Sequence, residues 1–181
     1  GWKGGIGSSS RVASAGGSDY TVGILAQVNY GGDLHILGVP VGRRLSASGS
    51  SDSLSADAGD GSVMIVIATD APLSDRNLAR LGRRAFLALG RTGSAMTNGS
   101  GDYAVAFSTS VSARRTPARR AGVSTSEELP NELVSPLFQA TVEATEEAVY
   151  NALFKATTTH GYRGIAEALP LDRVGPMLER S

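Results

Sequence analysis

The sequence predicts an α/β fold in which helices lie on a sheet, and two patterns support this prediction. Apolar runs typical of buried strands occur at 19–31, 62–70 and 102–110. Apolar residues recur at helical spacing from Ser74 to the glycines near 90–93, and again over 131–158. Strands combined with amphipathic helices are typical of layered domains that share one core.

The N-terminal third is interpreted as a loop followed by a hairpin. Residues 1–19 are rich in Gly and Ser and are expected to form a loop. The strand over 19–31 is expected to pair with a second strand over 33–42, through a turn at Gly31 and Gly32. Pro40 would place the far end of the second strand at an edge.

Two polar segments and the tail complete the layout. Residues 43–61 show no apolar periodicity and predict a flexible linker. Residues 111–130 predict a surface loop, whose arginines form either a solvated face or an anion patch. The tail from 161 onward is expected to end in a short helix that closes over the fold.

Composition excludes several function classes. Lys+Arg and Asp+Glu both total 17, and this zero net charge argues against a nucleic-acid binder. There is no cysteine, so disulfides, thiolate metal sites and Cys nucleophiles are excluded. No apolar run approaches the roughly 20 residues that span a bilayer. We expect a soluble protein of the cytoplasm or periplasm, and the start of the chain reads like the middle of a longer polypeptide.

Metal or cofactor chemistry is not predicted either. His35 and His160 lie far apart in the chain, and no HExxH-type spacing occurs. Each histidine is interpreted as a structural or surface residue. We therefore expect a catalytic site that uses neither a metal nor a cofactor.

Ser62 stands where a glycine-rich segment meets a buried strand, after Gly61. A serine at an element boundary is commonly structural. Here, however, its hydroxyl could attack the unobstructed Gly61 carbonyl, form an ester, and leave a new chain that begins with Ser62. An α-amine has a pKa of about 7.7 to 8.0 and could then serve as the base for the adjacent hydroxyl.

Asn29 and the stretch around Ser100 are the candidate supports for such a nucleophile. Asn29 ends the first predicted strand and could donate to an oxyanion, although a turn residue is the competing interpretation. Ser100 and Asp102 are two residues apart and would face the same side of an extended segment. They could link Ser62 to a carboxylate by hydrogen bonds, or they could simply cap a tight turn.

Several stretches resemble the L-aminopeptidase/D-esterase-amidase family, which includes the β-aminopeptidases. The resemblance runs in order through most of residues 1–153, in "GWKGGIGSSSR", "YTVGILAQVNYG", "LHILGVPVG", "GDGSVMIVIATDAPLSDRNLARLGRRAFLALGRTGS" and "NGSGDYAVAFSTS". It implies a four-layer αββα sandwich like that of the N-terminal nucleophile (Ntn) hydrolases, with different strand connectivity. It also implies that residues 1–61 end an α subunit, that 62–181 form the β subunit, and that this chain covers part of the sandwich.

The resemblance also implies roles for individual residues. The bond cleaved would be Gly61–Ser62, with Ser62 as nucleophile, Asn29 as oxyanion donor, and Ser100 and Asp102 as the network that orients the nucleophile. Some β-aminopeptidases carry Glu at the position of Asp102. Because the Asp side chain is shorter than that of Glu, it alters the reach of that network.

Substrates and partners follow from the same resemblance. The expected substrates are small peptides, aminoacyl amides or esters with a free amino end. An upstream α-subunit segment, which this chain lacks, is expected to supply further strands and residues that hold the substrate's amine. The family also implies a homo-oligomer.

Two other functions remain open at this point. An acyltransferase of the ornithine acetyltransferase type would resemble the same architecture, but those enzymes use Thr where this chain has Ser62. A non-enzymatic module could bind phosphate through "GGIGSSS", which lacks the Lys-Ser/Thr ending of a P-loop.

Overall fold

The computed structural model describes residues 1–47, 61–162 and 164–179. Its centre is a four-stranded sheet with strand order β1-β2-β3-β4. The first three strands are antiparallel neighbours, and β3 and β4 run parallel. The strands are β1 (Gly5–Ala15), β2 (Ser18–Asn29), β3 (Ser62–Thr69) and β4 (Gly101–Ser108).

Two long helices cover one face of this sheet. Helix α4 packs against β1 and β2, helix α2 packs mainly against β4, and the two helices pack against each other. Helix α2 also provides the crossover that parallel strands require. The helices are α1 (Val41–Ala47), α2 (Asp75–Arg91), α3 (Pro117–Arg120), α4 (Ser135–Phe154) and α5 (Leu171–Leu178).

The strands and long helices inferred from hydrophobic periodicity are confirmed. Strands β2, β3 and β4 and helix α2 lie within one to three residues of their predicted limits. Helix α4 is shorter than predicted, because residues 131–133 form a separate 3-10 turn and the helix ends at Phe154. Pro136 lies in the first turn of α4, where proline is tolerated. The short terminal helix is α5.

The prediction that residues 1–19 form a loop is wrong, because most of them form β1. The small residues that suggest a loop are needed for the approach of α4. A side chain on Gly7 would meet the carbonyl oxygen of Ala148 at 1.9 Å, and the Ser9 hydroxyl donates to the carbonyl of Ala144 at 2.5 Å. Strand β1 therefore has only two of the β-branched residues that identify a strand from sequence, Ile6 and Val12.

The predicted strand over 33–42 and its hairpin are also wrong. Residues 36–39 form a tight turn, in which Leu37 and Gly38 have positive φ angles of 50° and 81°, and α1 begins at Val41. The actual hairpin joins β1 to β2 through Gly16 and Gly17, whose φ angles of 61° and 80° suit a tight hairpin turn.

The two polar segments differ from expectation in detail. Residues 43–47 of the predicted linker belong to α1, and residues 48–60 lie outside the described residues. The predicted loop over 111–130 contains α3 and is held by Arg119. Its guanidinium donates to the carbonyl oxygens of Val111, Ser112 and Arg114, at 3.3, 2.6 and 2.9 Å. This arginine therefore stabilises the loop from within.

A short hairpin and α5 follow α4. Strands β5 (Thr159–Gly161) and β6 (Gly164–Ala166) form the exposed hairpin. The carbonyl of Glu167 accepts a hydrogen bond from the amide of Lys3 at 2.6 Å, which places the end of the hairpin beside the start of β1.

The second face of the sheet is apolar and open within the described residues. Alternate residues of β3 such as Val63, Ile65 and Ile67 are fully buried under the helices, whereas their neighbours point to the other side. A sheet face of this composition ordinarily packs against another layer. Its exposed apolar residues include Leu25, Met64, Val66, Tyr103, Val105 and Phe107.

None of the described helices is long and apolar enough to cross a lipid bilayer.

Candidate active site

The candidate residues meet at one edge of the sheet. Strand β2 ends there, whereas β3 and β4 both begin there, because β3 is antiparallel to β2 and parallel to β4. In this register Ser62 lies opposite Asn29 on one side and Gly101 on the other. Residues far apart in sequence are thus brought together by strand pairing alone.

Ser62 and Asn29 are on the open face of the sheet. Both residues are exposed, and directly paired residues project to the same face. A side chain at Gly101 would lie 3.3 Å from the Ser62 hydroxyl oxygen, which places that oxygen over Gly101. The nucleophile candidate is therefore accessible, with an amide side chain on the adjacent strand at the usual cross-strand spacing.

Gly61 is buried and its carbonyl oxygen is held. The main-chain N–H of Gly101 donates to this oxygen at 3.3 Å. Any side chain at position 61 would lie 2.7 Å from the Cα of Tyr30 and 3.2 Å from the carbonyl oxygen of Asn29. Only glycine fits here without displacing the main chain that carries Asn29.

Ser100 and Asp102 form the local pair that the sequence predicts. The Ser100 hydroxyl lies 2.9 Å from each carboxylate oxygen of Asp102. Asp102 pairs with Val63, whose side chain is buried beneath the helices. The pair therefore approaches β3 from the helix side, whereas the Ser62 hydroxyl projects from the open side.

Tyr30 is a residue that the sequence analysis missed. It is partly buried, and its hydroxyl lies 2.6 Å from that of Thr92, just after α2. Burial raises the pKa of Tyr30 to about 12, and the nearby negative charge of Asp102 contributes in the same direction. The phenol therefore remains protonated at neutral pH. Its position directly after Asn29 is the sequence signal that could have identified it.

Gly101 was missed in the same way. Its role rests on a main-chain N–H and on the absence of a side chain, and neither is visible as a functional group in the sequence. Its place between Ser100 and Asp102 was the available signal.

His35 makes a local contact, with its Nδ1 lying 2.6 Å from the carbonyl oxygen of Asp33. Among the described side chains, no group of three or more His, Asp or Glu residues is arranged to hold a metal ion.

Comparison with known proteins places this arrangement in a family. The model of peptidase family S58 matches residues 1–166. The chain belongs to this family. The match includes the whole four-stranded sheet and every candidate site residue, so it covers the part of the molecule that carries the proposed chemistry.

A curated relative is similar in sequence to most of the chain. The chain is 39% identical over 176 residues to the β-peptidyl aminopeptidase BapA of Sphingosinicella microcystinivorans. This alignment covers 91% of the chain and 44% of the relative. The chain thus spans less than half the length of the curated relative that it matches.

Solved structures show the fold. The L-aminopeptidase D-Ala-esterase/amidase of Ochrobactrum anthropi matches with a TM-score of 0.86 and 37% identity, covering 99% of this chain and 49% of that one. A β-aminopeptidase from Burkholderia sp. matches with a TM-score of 0.79 and 34% identity, covering 99% and 50%. The Ochrobactrum protein is described as a prototype of the serine aminopeptidases and a new variant of the Ntn hydrolase fold.

These matches confirm the predicted family and fold class. The S58 chain has an α/β architecture of the Ntn hydrolase type, and its sheet with two helices on one face corresponds to about half of each solved relative. The predicted restriction to part of the sandwich agrees with this coverage.

Proposed function

We propose that this S58 protein is a serine aminopeptidase that cleaves its own chain between Gly61 and Ser62 and then uses Ser62 as an N-terminal nucleophile. The observation that carries the proposal is the constellation at the sheet edge. An exposed serine hydroxyl lies over Gly101, beside Asn29, and directly after a glycine whose carbonyl oxygen is hydrogen-bonded.

The first proposed step is self-cleavage. The Ser62 oxygen forms a bond to the carbonyl carbon of Gly61, the peptide C–N bond breaks, and the hydroxyl proton passes to the nitrogen. Water then hydrolyses the resulting ester and frees the Gly61 carboxylate. The N–H of Gly101 already donates to the Gly61 oxygen, so it is placed to stabilise the negative charge that develops there.

The second proposed step is turnover of a substrate. The new α-amine of Ser62 accepts the hydroxyl proton, and the oxygen attacks the first carbonyl of a peptide, amide or ester. Asn29 and the N–H of Gly101, now released from Gly61, support the oxyanion. The leaving amine or alcohol takes this proton from the α-amine, and water then hydrolyses the acyl-enzyme. One oxyanion donor is worth about 3 to 4 kcal/mol of barrier.

Ser100 and Asp102 support the proposed nucleophile from the helix side of β3. Their side chains are linked to each other, and register places Asp102 beside Val63, next to the main chain of Ser62. A carboxylate in this position suits a role in holding the α-amine that cleavage creates.

The proposed substrates carry a free amino end. Relatives of this chain are named as a β-peptidyl aminopeptidase and as an L-aminopeptidase with D-Ala-esterase/amidase activity. An assay panel should therefore include β-peptides, L-aminoacyl amides and D-alanine amides or esters. We also propose that residues 1–61 belong to an α subunit and 62–181 to a β subunit, and that the processed units form a homo-oligomer.

The other two functions are less well supported. The nucleophile position holds Ser62 and not Thr, and the named relatives are aminopeptidases, which disfavours the acyltransferase. The phosphate-binding loop is contradicted, because "GGIGSSS" lies largely within β1 and Gly7 packs beneath α4.

The decisive test is Ser62→Ala in the protein expressed from its full coding sequence. We expect one uncut polypeptide without peptidase, amidase or esterase activity, whereas the wild type yields a fragment whose N-terminal residue is Ser62. Intact-mass spectrometry and N-terminal sequencing measure cleavage. Ser8→Ala, at an exposed serine of β1, is the control and should be processed and active. Cleavage or turnover that survives Ser62→Ala would refute the proposal.

A further inference from the structure

Tyr30 connects the nucleophile's surroundings to the helix layer. Its main chain leaves β2 directly after Asn29 and lies against Gly61. A side chain added at Gly61 would meet the Tyr30 Cα at 2.7 Å and its Cβ at 2.9 Å. Tyr30 is therefore joined to Asn29 by a peptide bond and packs against Gly61.

The phenol of Tyr30 is anchored to a rigid partner. Thr92 is 2% exposed, and its hydroxyl donates to the carbonyl of Leu89 at 2.9 Å. That hydroxyl has only one hydrogen, so the 2.6 Å bond to Tyr30 must be donated by the phenol. The amide of Thr92 in turn donates to the carbonyl of Ala88, within α2, at 3.0 Å. The end of β2 is thus tied to the C-terminus of α2.

We propose that Tyr30 is a positioning residue for the reaction of Ser62, because its bond to Thr92 fixes the main chain of residues 29 and 30 against Gly61. Through that main chain it sets the Asn29 amide and the Gly61 carbonyl relative to the Ser62 hydroxyl. This inference rests on the proposed function of Ser62, and it assigns to Tyr30 no contact with substrate.

The phenol keeps this role across the working range of pH. Burial raises the pKa of Tyr30 to about 12, so the hydroxyl remains a donor far above neutral pH. The main chain that it holds carries an oxyanion donor, and small displacements of such groups have large kinetic costs, up to about a hundredfold for a shift near 1 Å.

The test compares Tyr30→Phe and Thr92→Val, which remove the same hydrogen bond from opposite ends. Each should slow self-cleavage and lower kcat by about tenfold or more, with KM within about twofold, because ground-state binding does not use the bond. The loss in kcat should be uniform from about pH 6 to 9, because the phenol does not titrate there. The double variant should be no slower than the slower single variant.

Thr141→Val is the matched control. Thr141 is a fully buried threonine of α4 whose hydroxyl donates to the carbonyl of Leu137 at 2.7 Å. Its removal should lower Tm to a similar extent as Thr92→Val and leave kcat and self-cleavage unchanged. A Tyr30→Phe protein with wild-type kcat and processing would overturn the inference, as would a loss in kcat that tracks Tm equally in all three variants.

Failure of the proposed function gives a different result. If Ser62→Ala remains active, the proposed nucleophile is wrong, whatever Tyr30→Phe does. If Ser62→Ala is inactive and Tyr30→Phe is unaffected, the nucleophile stands and the positioning role alone is overturned.

Discussion

Ser62 illustrates how a residue acquires chemistry from its neighbours. A serine at the start of a strand is ordinary, but this one has an amide side chain on one adjacent strand and a glycine on the other. The glycine leaves space above the sheet, and its N–H holds the carbonyl of the preceding residue. These contacts come from three separate strands, so they depend on strand register and not on any local motif.

Asn29 allows a test of oxyanion stabilisation. Asn29→Ala should lower the rate of acylation by about a hundredfold or more, because it removes one preorganised donor. The fold should be retained, since the Asn29 side chain is exposed among the described residues and lies outside their hydrophobic core. Single-turnover kinetics with an ester substrate measures the acylation step.

Gln27→Ala is the comparison for Asn29. Gln27 is an exposed amide on the same strand and the same face, paired with Met64. Its removal should leave acylation unchanged. Equal rates for Asn29→Ala and wild type would remove Asn29 from the mechanism.

Gly61 can be tested with the smallest possible side chain. Gly61→Ala should slow self-cleavage strongly, because the added methyl would lie 2.7 Å from the Tyr30 Cα and must displace the main chain beside Asn29. The uncut fraction, followed by gel electrophoresis after expression, measures the effect. Gly5→Ala, whose added carbon meets its nearest neighbour at 3.7 Å, should be processed normally. Complete processing of Gly61→Ala would contradict this account of the position.

At the scale of elements, the contact between β1 and α4 holds the helix layer on the sheet. Small residues allow it: Gly7 lies under the Ala148 carbonyl, and Ser9 bonds to that of Ala144. On the other side of the layer, the guanidinium groups of Arg80 and Arg84 lie 4.8 and 4.0 Å from the centre of the Phe138 ring, joining α2 to α4. These contacts hold α2 and α4 together as one layer on the sheet.

Gly7→Ala is the corresponding prediction. The added methyl would meet the Ala148 carbonyl oxygen at 1.9 Å, so α4 must move away from β1. Overpacking of this kind costs about 1 to 3 kcal/mol of unfolding free energy. Denaturant unfolding measures it, with Gly23→Ala as control, because an added carbon there lies 3.8 Å from its nearest neighbour. Equal stability of the two variants would show that the strand and helix adjust freely.

At the scale of the whole molecule, the open face of the sheet exposes several large apolar side chains. Val66, Val105 and Phe107 are 38, 56 and 45% exposed on a sheet whose other face is buried. Solved relatives are about twice as long as this chain. We therefore propose that a second layer covers this face, in keeping with the sandwich architecture.

Cysteine labelling can test that expectation, because this chain has no cysteine of its own. In the full-length protein, Val105→Cys should react slowly with a maleimide and become reactive only in denaturant. Ser126→Cys, at an exposed loop residue, should react rapidly under native conditions. Rapid native labelling at both positions would show that the face is open in the whole protein.

The chain's local patterns were sufficient for part of the fold. Continuous apolar runs identify β2, β3 and β4, and helical periodicity identifies α2 and α4, because burial on one face imposes a regular spacing. The Ser100–Asp102 bond was also predictable, since it joins residues two apart. Strand β1 could not be predicted, because its small residues allow the close approach of α4 and have a low strand propensity.

What the sequence by itself determined is therefore the set of strands and helices with regular apolar spacing, and the identity of the polar residues at their ends. Tertiary structure alone decided that Asn29, Ser62 and Gly101 are neighbours, that the Gly61 carbonyl is held, and that Tyr30 is tied to Thr92. The physical reason is that hydrophobic spacing is a local property of the chain. Strand register and close main-chain approach arise only when distant segments pack.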